Sequence, residues 1–180
     1  MTQHEYVFVA ISIILGLAIT RLLHNVGLLI RAHRSVRFHW STALWGICVM
    51  TYSLQLWWVG WGLRDLDTWS FSSFAILTAG SIFVYGAAEM ALPVPDSDDK
   101  PDFLAHSRGL GRLSALSMLL YFAVGPYVNI VLFGNEFIAS IALPVAGMTQ
   151  MAVIIAFPRT FTPMSLLFAA YTALILYLTA

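Results

Sequence analysis

Four ionisable or strongly polar side chains lie inside stretches of sequence that are otherwise apolar: Arg21, His24, Asn25 and Glu89. Arg21 and His24 are three residues apart, so they share one face of a helix. A charge inside a membrane helix is costly and usually paired, which makes such residues candidates for a functional site. We therefore predict that Arg21 and Glu89 pair in the inner half of a membrane, beside a polar path. The alternative is structural: Arg21 extends toward the interface, and Glu89 ends a helix there.

Other polar residues could contribute to the same path. Gln55 in the second apolar stretch, and Thr149 and Gln150 in the fifth, offer hydrogen-bonding groups at mid-depth. Hydrogen bonds between membrane helices, worth about 0.6 kcal/mol each, are the commoner role of such groups. His24 could relay protons or contact a ligand, because the pKa of histidine lies near physiological pH. It is the one histidine within an apolar stretch, so a haem with two histidine ligands from one chain is excluded.

Motifs for catalysis, metals and nucleic acid are missing from the sequence. No HExxH, Ser/His/Asp set or paired intramembrane aspartates occur, which disfavours an enzyme. The acidic segment around Asp96, Asp98, Asp99 and Asp102 lacks the central glycine and terminal glutamate of a calcium loop. The single cysteine, Cys48, excludes a CxxC motif. Zero formal net charge leaves no basic field for nucleic acid. We expect no cofactor, no metal site and no nucleic acid partner.

The elements that must position these side chains are membrane helices. Of the 180 residues, 59% are hydrophobic and 10% are charged, whereas soluble domains carry about 25% charged residues. Roughly 20 apolar residues cross a hydrocarbon core about 30 Å thick. Six apolar stretches approach or exceed that length: 6–30, 40–63, 71–92, 113–133, 137–157 and 163–178. The sequence predicts an all-α, polytopic transmembrane helix bundle of about six spans, forming one domain over residues 1–180. Five spans are the alternative, because the last stretch is short.

The distribution of Lys and Arg predicts the orientation. Seven of the nine basic residues fall in the first, third and fifth loops: Arg31, Arg34, Arg37, Lys100, Arg108, Arg112 and Arg159. Because such residues accumulate in cytoplasmic loops, we expect the N-terminus and the C-terminus outside. The segment 93–103, rich in Asp and Pro, is predicted to be a mobile cytoplasmic linker. Trp57, Trp58 and Trp61 are predicted to anchor the outer end of the second helix in the headgroup region.

Small residues and prolines suggest how the helices pack. Ser12, Gly16 and Thr20 recur every four residues on the first helix, and Ala142 and Ala146 do so on the fifth. Small residues at that spacing let helices approach closely, so we expect both stripes to be contact faces. His24 continues the first stripe, and with Arg21 it is predicted to face inward. Pro126 and Pro144 remove backbone donors and are expected to kink their helices.

The segments EYVFVAISIILGLAITR (5–21) and LQLWWVGWGLRD (54–65) carry a resemblance. In these segments the chain resembles a family of small uncharacterised bacterial multi-span membrane proteins, mainly over its first 70 residues. The resemblance implies a bacterial inner (cytoplasmic) membrane location, and it supplies no activity or binding residues.

Two functions from different classes fit these features. The first is a small channel or transporter whose polar path runs near the first and third helices; two three-span halves of opposite topology would permit it. The second is a non-catalytic membrane subunit or scaffold that packs against a partner protein. The expected partners are the lipid bilayer and either a second copy of the chain or another membrane protein.

Overall fold

Seven α-helices occur in the part of the chain that the structure describes. The structure is a computed structural model that describes residues 2–66, 68–95 and 101–179. The helices are α1 (Gln3–Arg31), α2 (Trp40–Gly62), α3 (Phe71–Glu89), α4 (Phe103–Arg108), α5 (Gly111–Tyr127), α6 (Phe137–Ala156) and α7 (Phe161–Thr179). Short turns of 3₁₀ helix follow α2 and precede α7, and a π-helical turn, Val128–Leu132, extends α5. No strand occurs in the described ranges.

Five of the six long helices are long and apolar enough to cross a membrane: α1, α3, α5 with its π-helical turn, α6, and α7 with the turn before it. The six predicted apolar stretches coincide with the six long helices to within three residues at every end when α5 is taken together with its π-helical turn. The last stretch, predicted as 163–178, belongs to a longer apolar helical segment of 22 residues, Pro158–Thr179. The chain is therefore a membrane-embedded, multi-pass protein.

The helix α2 is long enough to span a membrane but less hydropathic than the others. It carries five tryptophans together with serine, threonine and glutamine side chains. It is also the most enclosed long helix, with ten of its 23 residues buried against α1, α3 and α7. A helix surrounded by protein can hold polar side chains that a lipid-facing helix cannot, because neighbouring helices satisfy them.

Hydrogen bonds between helices confirm that α2 is central. The Trp45 indole Nε1 donates to the Ser114 hydroxyl at 2.9 Å, and that hydroxyl donates to the Ala87 carbonyl at 2.8 Å. The two bonds connect α2, α5 and α3. On the same helix the Thr42 hydroxyl donates to the Phe103 carbonyl at 2.9 Å, which holds α4 against the start of α2.

The predicted linker 93–103 is ordered at its C-terminal end. The Arg37 amide donates to the Pro101 carbonyl at 2.9 Å, and the Phe103 amide donates to the Arg37 carbonyl at 3.1 Å. Phe103 is itself buried. The prediction of a mobile segment is therefore wrong for these residues, because a buried aromatic ring and two backbone bonds fix them; residues 96–100 lie outside the described ranges. In α4, the His106 ring bonds the Met90 carbonyl at 3.0 Å, and burial lowers the pKa of this imidazole.

The two small-residue stripes are mostly exposed, and only Ser12 at the start of the first is partly buried. Gly16 and Thr20 are exposed, and a Cβ on Gly16 would meet no atom within 4 Å. Ala142 and Ala146 are exposed as well. The helix α1 packs instead through larger residues spaced three and four apart: Val7, Ile11, Leu15, Ala18, Leu22, Asn25 and Leu29. The prediction is wrong because lipid and protein interior are both apolar, so small residues at helical spacing do not say which of them they face.

Close approach occurs where α5 meets α6. A Cβ on Gly125 would lie 2.9 Å from the Pro144 ring, and a Cβ on Gly147 would lie 2.9 Å from the Phe122 ring. Pro126 lies at the end of α5, directly before the helix changes to π-helical geometry. The helix α6 continues through Pro144, which is buried against α5.

Candidate functional site

The predicted ion pair between α1 and α3 is present. Arg21 lies ten residues before the end of α1, and Glu89 is the last residue of α3. The Arg21 Nη2 lies 2.6 Å from the Glu89 Oε1, and the two side chains remain 37% and 34% exposed outside the protein interior. The Arg21 Nε is buried without a partner among the described residues. Any functional role of the pair stays a prediction.

The two polar residues one turn further along α1 face in different directions. Asn25 is completely buried, and neither its amide nitrogen nor its amide oxygen has a partner in the part of the chain that the structure describes. His24 is exposed on the outer face of α1. The prediction that His24 faces inward is wrong, because the inward face of α1 is set by Leu22, Asn25 and Leu29.

The two glutamines do not join this pair. Gln55 lines a cavity formed by α2, α5, α6 and α7, to which α1 and α3 contribute no residue. Gln150 lies on α6, with its side-chain oxygen buried and without a partner among the described residues. Of the six predicted site residues, Arg21 and Glu89 therefore form a pair, and Asn25 is buried one helical turn away. His24, Gln55 and Gln150 lie at separate positions.

The cavity that contains Gln55 has a mainly apolar wall with several polar side chains. Its volume is about 450 Å³, within the range of roughly 300–1,000 Å³ that is usual for ligand sites. We call it the tyrosine cavity, after Tyr52, Tyr121 and Tyr171, which line it together with Phe122. It lies at the end of the bundle where both chain termini are found, because Val59 near the end of α2 and Leu178 near the end of α7 both line it.

Two buried hydroxyl groups in the tyrosine cavity lack partners. Tyr52 is 1% exposed and Ser140 is 3% exposed, yet neither hydroxyl makes a hydrogen bond to any described residue. The Thr172 hydroxyl lies beside the Tyr52 hydroxyl; it donates to the Phe168 carbonyl, and its oxygen remains able to accept from Tyr52. By contrast, the Tyr171 hydroxyl donates to the Leu143 carbonyl at 2.7 Å. A buried polar group without a partner costs about 1–3 kcal/mol. Because neither hydroxyl oxygen is exposed to the cavity, a small side-chain movement, toward Thr172 for Tyr52 or toward a molecule in the cavity, would be needed to satisfy them.

Aromatic packing fixes the orientation of Tyr52. Its ring stacks on Phe168, with centroids 5.6 Å apart and planes 14° apart, and meets the edge of Phe122 at 5.3 Å. The ring of Tyr121, which precedes Phe122 on α5, also contacts the Tyr52 ring, with centroids 5.7 Å apart. Because three rings from two other helices hold Tyr52, its hydroxyl has a fixed position for binding.

Irregular backbone surrounds the mouth of the tyrosine cavity. Val128 and Asn129, from the π-helical turn, line it, and the Asn135 amide donates to the Asn129 carbonyl at 3.0 Å. Gly134 between them has φ +67°, which favours glycine. π-Helical turns within α-helices are often found at functional sites.

The charge at the mouth is negative. Glu136, at the start of α6, lines the cavity and is exposed, and no Lys, Arg or His is among the lining residues. Apart from Gln55, the residues of this site were not predicted from the sequence, although Tyr121, Asn129 and Glu136 interrupt apolar sequence close to Pro126 and Pro144. Nothing in the linear order indicated that four separate helices would bring these residues to Tyr52.

Comparison of the chain with known protein families, curated protein sequences and solved structures finds no match. The resemblance to small bacterial multi-span proteins therefore stays a prediction. Within the described ranges, no group of three or more His, Cys, Asp and Glu side chains is placed to hold a metal ion.

Proposed function

We propose that the protein is a small membrane transporter whose substrate site is the tyrosine cavity. The observation that carries this proposal is the cavity of about 450 Å³ itself, whose wall combines aromatic rings held in place by stacking with the polar side chains of Gln55, Asn129 and Glu136. The path near α1 and α3 predicted from the sequence is less favoured, because Arg21 and Glu89 do not line this cavity. They also do not line a second cavity, an apolar groove on the outer surface between α1 and α2.

The surrounding backbone supports transport in addition to binding. Many transporters bind their substrates where membrane helices are interrupted, since the irregular turns expose backbone groups and permit movement. Here the π-helical turn Val128–Leu132 and the helix around Pro144 both contribute to the cavity. Closing and opening at these two places would expose the site alternately to the two sides of the membrane.

The lining favours a neutral or cationic amphipathic substrate. Aromatic faces attract organic cations as well as apolar groups. Glu136 adds a negative charge at the mouth, and no basic residue lines the cavity to receive an anion. Gln55, Asn129 and Ser140 offer hydrogen bonds to a polar end of the substrate.

The test compares three aromatic probes of similar size: benzyltrimethylammonium, benzyl alcohol and benzenesulfonate. Calorimetry on the detergent-solubilised protein should show binding of the first two, and proteoliposomes should take up benzyltrimethylammonium faster than protein-free liposomes. Glu136→Gln should weaken binding of the cation and leave the alcohol unaffected. Asp65→Asn removes an exposed acid outside the cavity and is the matched control. Equal binding of all three probes, or uptake unaffected by the variants, would contradict the proposal.

A second function, that of a non-catalytic subunit, is favoured by exposed aromatic residues on α2. Trp57, Trp58 and Trp61 are 43%, 61% and 51% exposed. Their rings either anchor in lipid headgroups or contact another chain. A subunit predicts co-purification in mild detergent with a fixed stoichiometry and no uptake of any probe, whereas a transporter predicts uptake by the purified chain alone.

We also propose six spans with both termini outside, in a bacterial inner membrane. The exposed arginines Arg31, Arg34, Arg108, Arg112 and Arg159 lie at the end of the bundle away from the termini, and Arg64 lies at the other end. This asymmetry supports a cytoplasmic location for the arginine-rich end. The central α2 is the added sixth span, because α1 and α3 lie beside it along the same bundle.

A further inference from the structure

A groove on the outside of the bundle lies between the second half of α1 and the first half of α2. Its volume is about 660 Å³. Leu22, Val26 and Ile30 line one wall, Ala43, Ile47 and Met50 line the other, and Leu92 and Phe103 also contribute. We call it the α1–α2 groove. It has no residue in common with the tyrosine cavity.

The groove exists because α3 ends before α1 does. The helix α3 stops at Glu89, which pairs with Arg21, so the last ten residues of α1 extend beyond it. Only the chain after α3, at Leu92, and the start of α4, at Phe103, reach this region. The space between the second half of α1 and the first half of α2 is therefore not filled by another long helix.

One end of the groove is basic. His33 lines it there, and its neighbours Arg31 and Arg34 are exposed and form no ion pair with any described residue. Arg37 is also exposed, and its Nη1 lies 3.9 Å from the Oδ2 of its partner Asp102. The basic end of the α1–α2 groove therefore carries three arginines and a histidine. Among the described residues, one carboxylate, that of Asp102, pairs with them.

We propose that the α1–α2 groove binds an anionic phospholipid, with one acyl chain along α1 and α2 and the phosphate beside His33 and Arg34. An apolar lining alone would not select a lipid, because acyl chains are equally well solvated by the bilayer. The selectivity comes from the basic end, since arginine pairs strongly with phosphate and clusters of basic residues at membrane surfaces attract anionic lipids.

The position of the basic end fits a lipid better than a soluble ligand. Exposed Trp40 and Phe38 lie beside it, and such aromatic residues mark the headgroup level of a membrane. The groove runs from that level along two helices toward Leu22, in the direction that an acyl chain takes. This inference is independent of the transporter proposal, because it concerns another surface.

Native mass spectrometry of the detergent-solubilised chain, with equal amounts of phosphatidylglycerol and phosphatidylcholine, tests the site. We expect preferential retention of phosphatidylglycerol. Arg31→Gln and Arg34→Gln should each reduce that preference by about fivefold, as a basic residue near a membrane surface contributes about 1 kcal/mol. Arg64→Gln, at the other end of the bundle, is the matched control and should change nothing.

The apolar part of the site has its own test. Ala43→Phe fills the groove and should reduce retention of phosphatidylglycerol, whereas Ala142→Phe on the exposed face of α6 should not. A phosphatidylglycerol with a photoreactive group in its acyl chain should crosslink the unmodified protein within 22–30 and 43–51. Equal retention of both lipids, retention unaffected by Ala43→Phe, or crosslinks confined to other helices would each overturn the proposal.

Discussion

Arg21 and Glu89 hold α1 and α3 together at the level where α3 ends. Each side chain has part of its surface outside the protein, so the pair faces lipid or headgroups on one side and helices on the other. An ion pair in this position stabilises the fold only while both members are present, because the survivor of a single substitution is left as an unpaired charge.

We expect Arg21→Ala and Glu89→Ala each to lower the thermal stability of the protein in detergent. The double variant should recover part of the loss, because no unpaired charge remains. A double-mutant cycle measured by thermal unfolding isolates the coupling, which should be at least about 0.5 kcal/mol for groups in contact. Strictly additive losses would show that the two residues do not interact in the folded protein.

Tyr52 differs from Arg21 because its hydroxyl forms no hydrogen bond of normal geometry with a described residue, although the Thr172 hydroxyl lies beside it. Tyr52→Phe keeps the stacked ring and removes only the hydroxyl. Stability should stay the same or rise, since an unpartnered buried hydroxyl costs about 1–3 kcal/mol. Binding of benzyl alcohol should weaken, as measured by calorimetry.

A control for Tyr52→Phe is available on α7. Tyr171→Phe removes a hydroxyl that bonds the Leu143 carbonyl, so this variant should lose stability by about 0.5–1.5 kcal/mol. A loss of stability in Tyr52→Phe as large as that in Tyr171→Phe would show that the Tyr52 hydroxyl is bonded within the protein, with Thr172 as the neighbouring group, and would contradict a role for it in the substrate site.

At the scale of the helices, α5 and α6 approach each other closely at Gly125. Gly125 allows it, because a Cβ there would lie 2.9 Å from the ring of Pro144. The contact lies next to the tyrosine cavity, which both residues line. The spacing of these two helices therefore determines the width of the proposed substrate site.

Gly125→Ala should reduce the free energy of unfolding by about 1–3 kcal/mol, as overpacking does elsewhere. The double variant Gly125→Ala with Pro144→Ala should regain part of this loss, because the ring that the new methyl group meets is gone. Gly16→Ala is the control: nothing lies within 4 Å of its Cβ, so stability should be unchanged or slightly higher. Equal losses at Gly125 and Gly16 in chemical denaturation would mean that α5 and α6 are not in contact here.

At the scale of the whole molecule, the two ends of the bundle differ in charge. The end with the chain termini carries Glu136 and the tyrosine cavity, while the opposite end carries most of the arginines and the basic end of the groove. The two proposed sites would thus face opposite sides of the membrane.

A cysteine introduced at Glu136 should react with an impermeant thiol reagent added outside intact cells, and one at Ser35 should react only after the membrane is opened. Both positions are exposed in the structure, whereas the natural Cys48 is buried and should give little background. The unsubstituted protein measures that background directly. The reverse labelling pattern would invert the orientation, and labelling of both positions from outside would exclude six spans.

The sequence by itself determined that the chain forms membrane helices and, to within three residues when α5 is counted with its π-helical turn, where the six long ones begin and end. This information is local, because a segment in lipid must satisfy its own backbone hydrogen bonds and therefore becomes a helix wherever it is apolar for long enough. The pairing of Arg21 with Glu89 was also predictable, since charges at similar depth in neighbouring helices need partners. Only the tertiary structure decided which face of each helix turns inward. It placed Gly16 and His24 outside, buried Asn25, and brought Tyr52 and Ser140 together from α2 and α6. The physical reason is that the interior of the bundle and the lipid around it are both apolar, so hydropathy identifies a membrane helix but does not distinguish its sides.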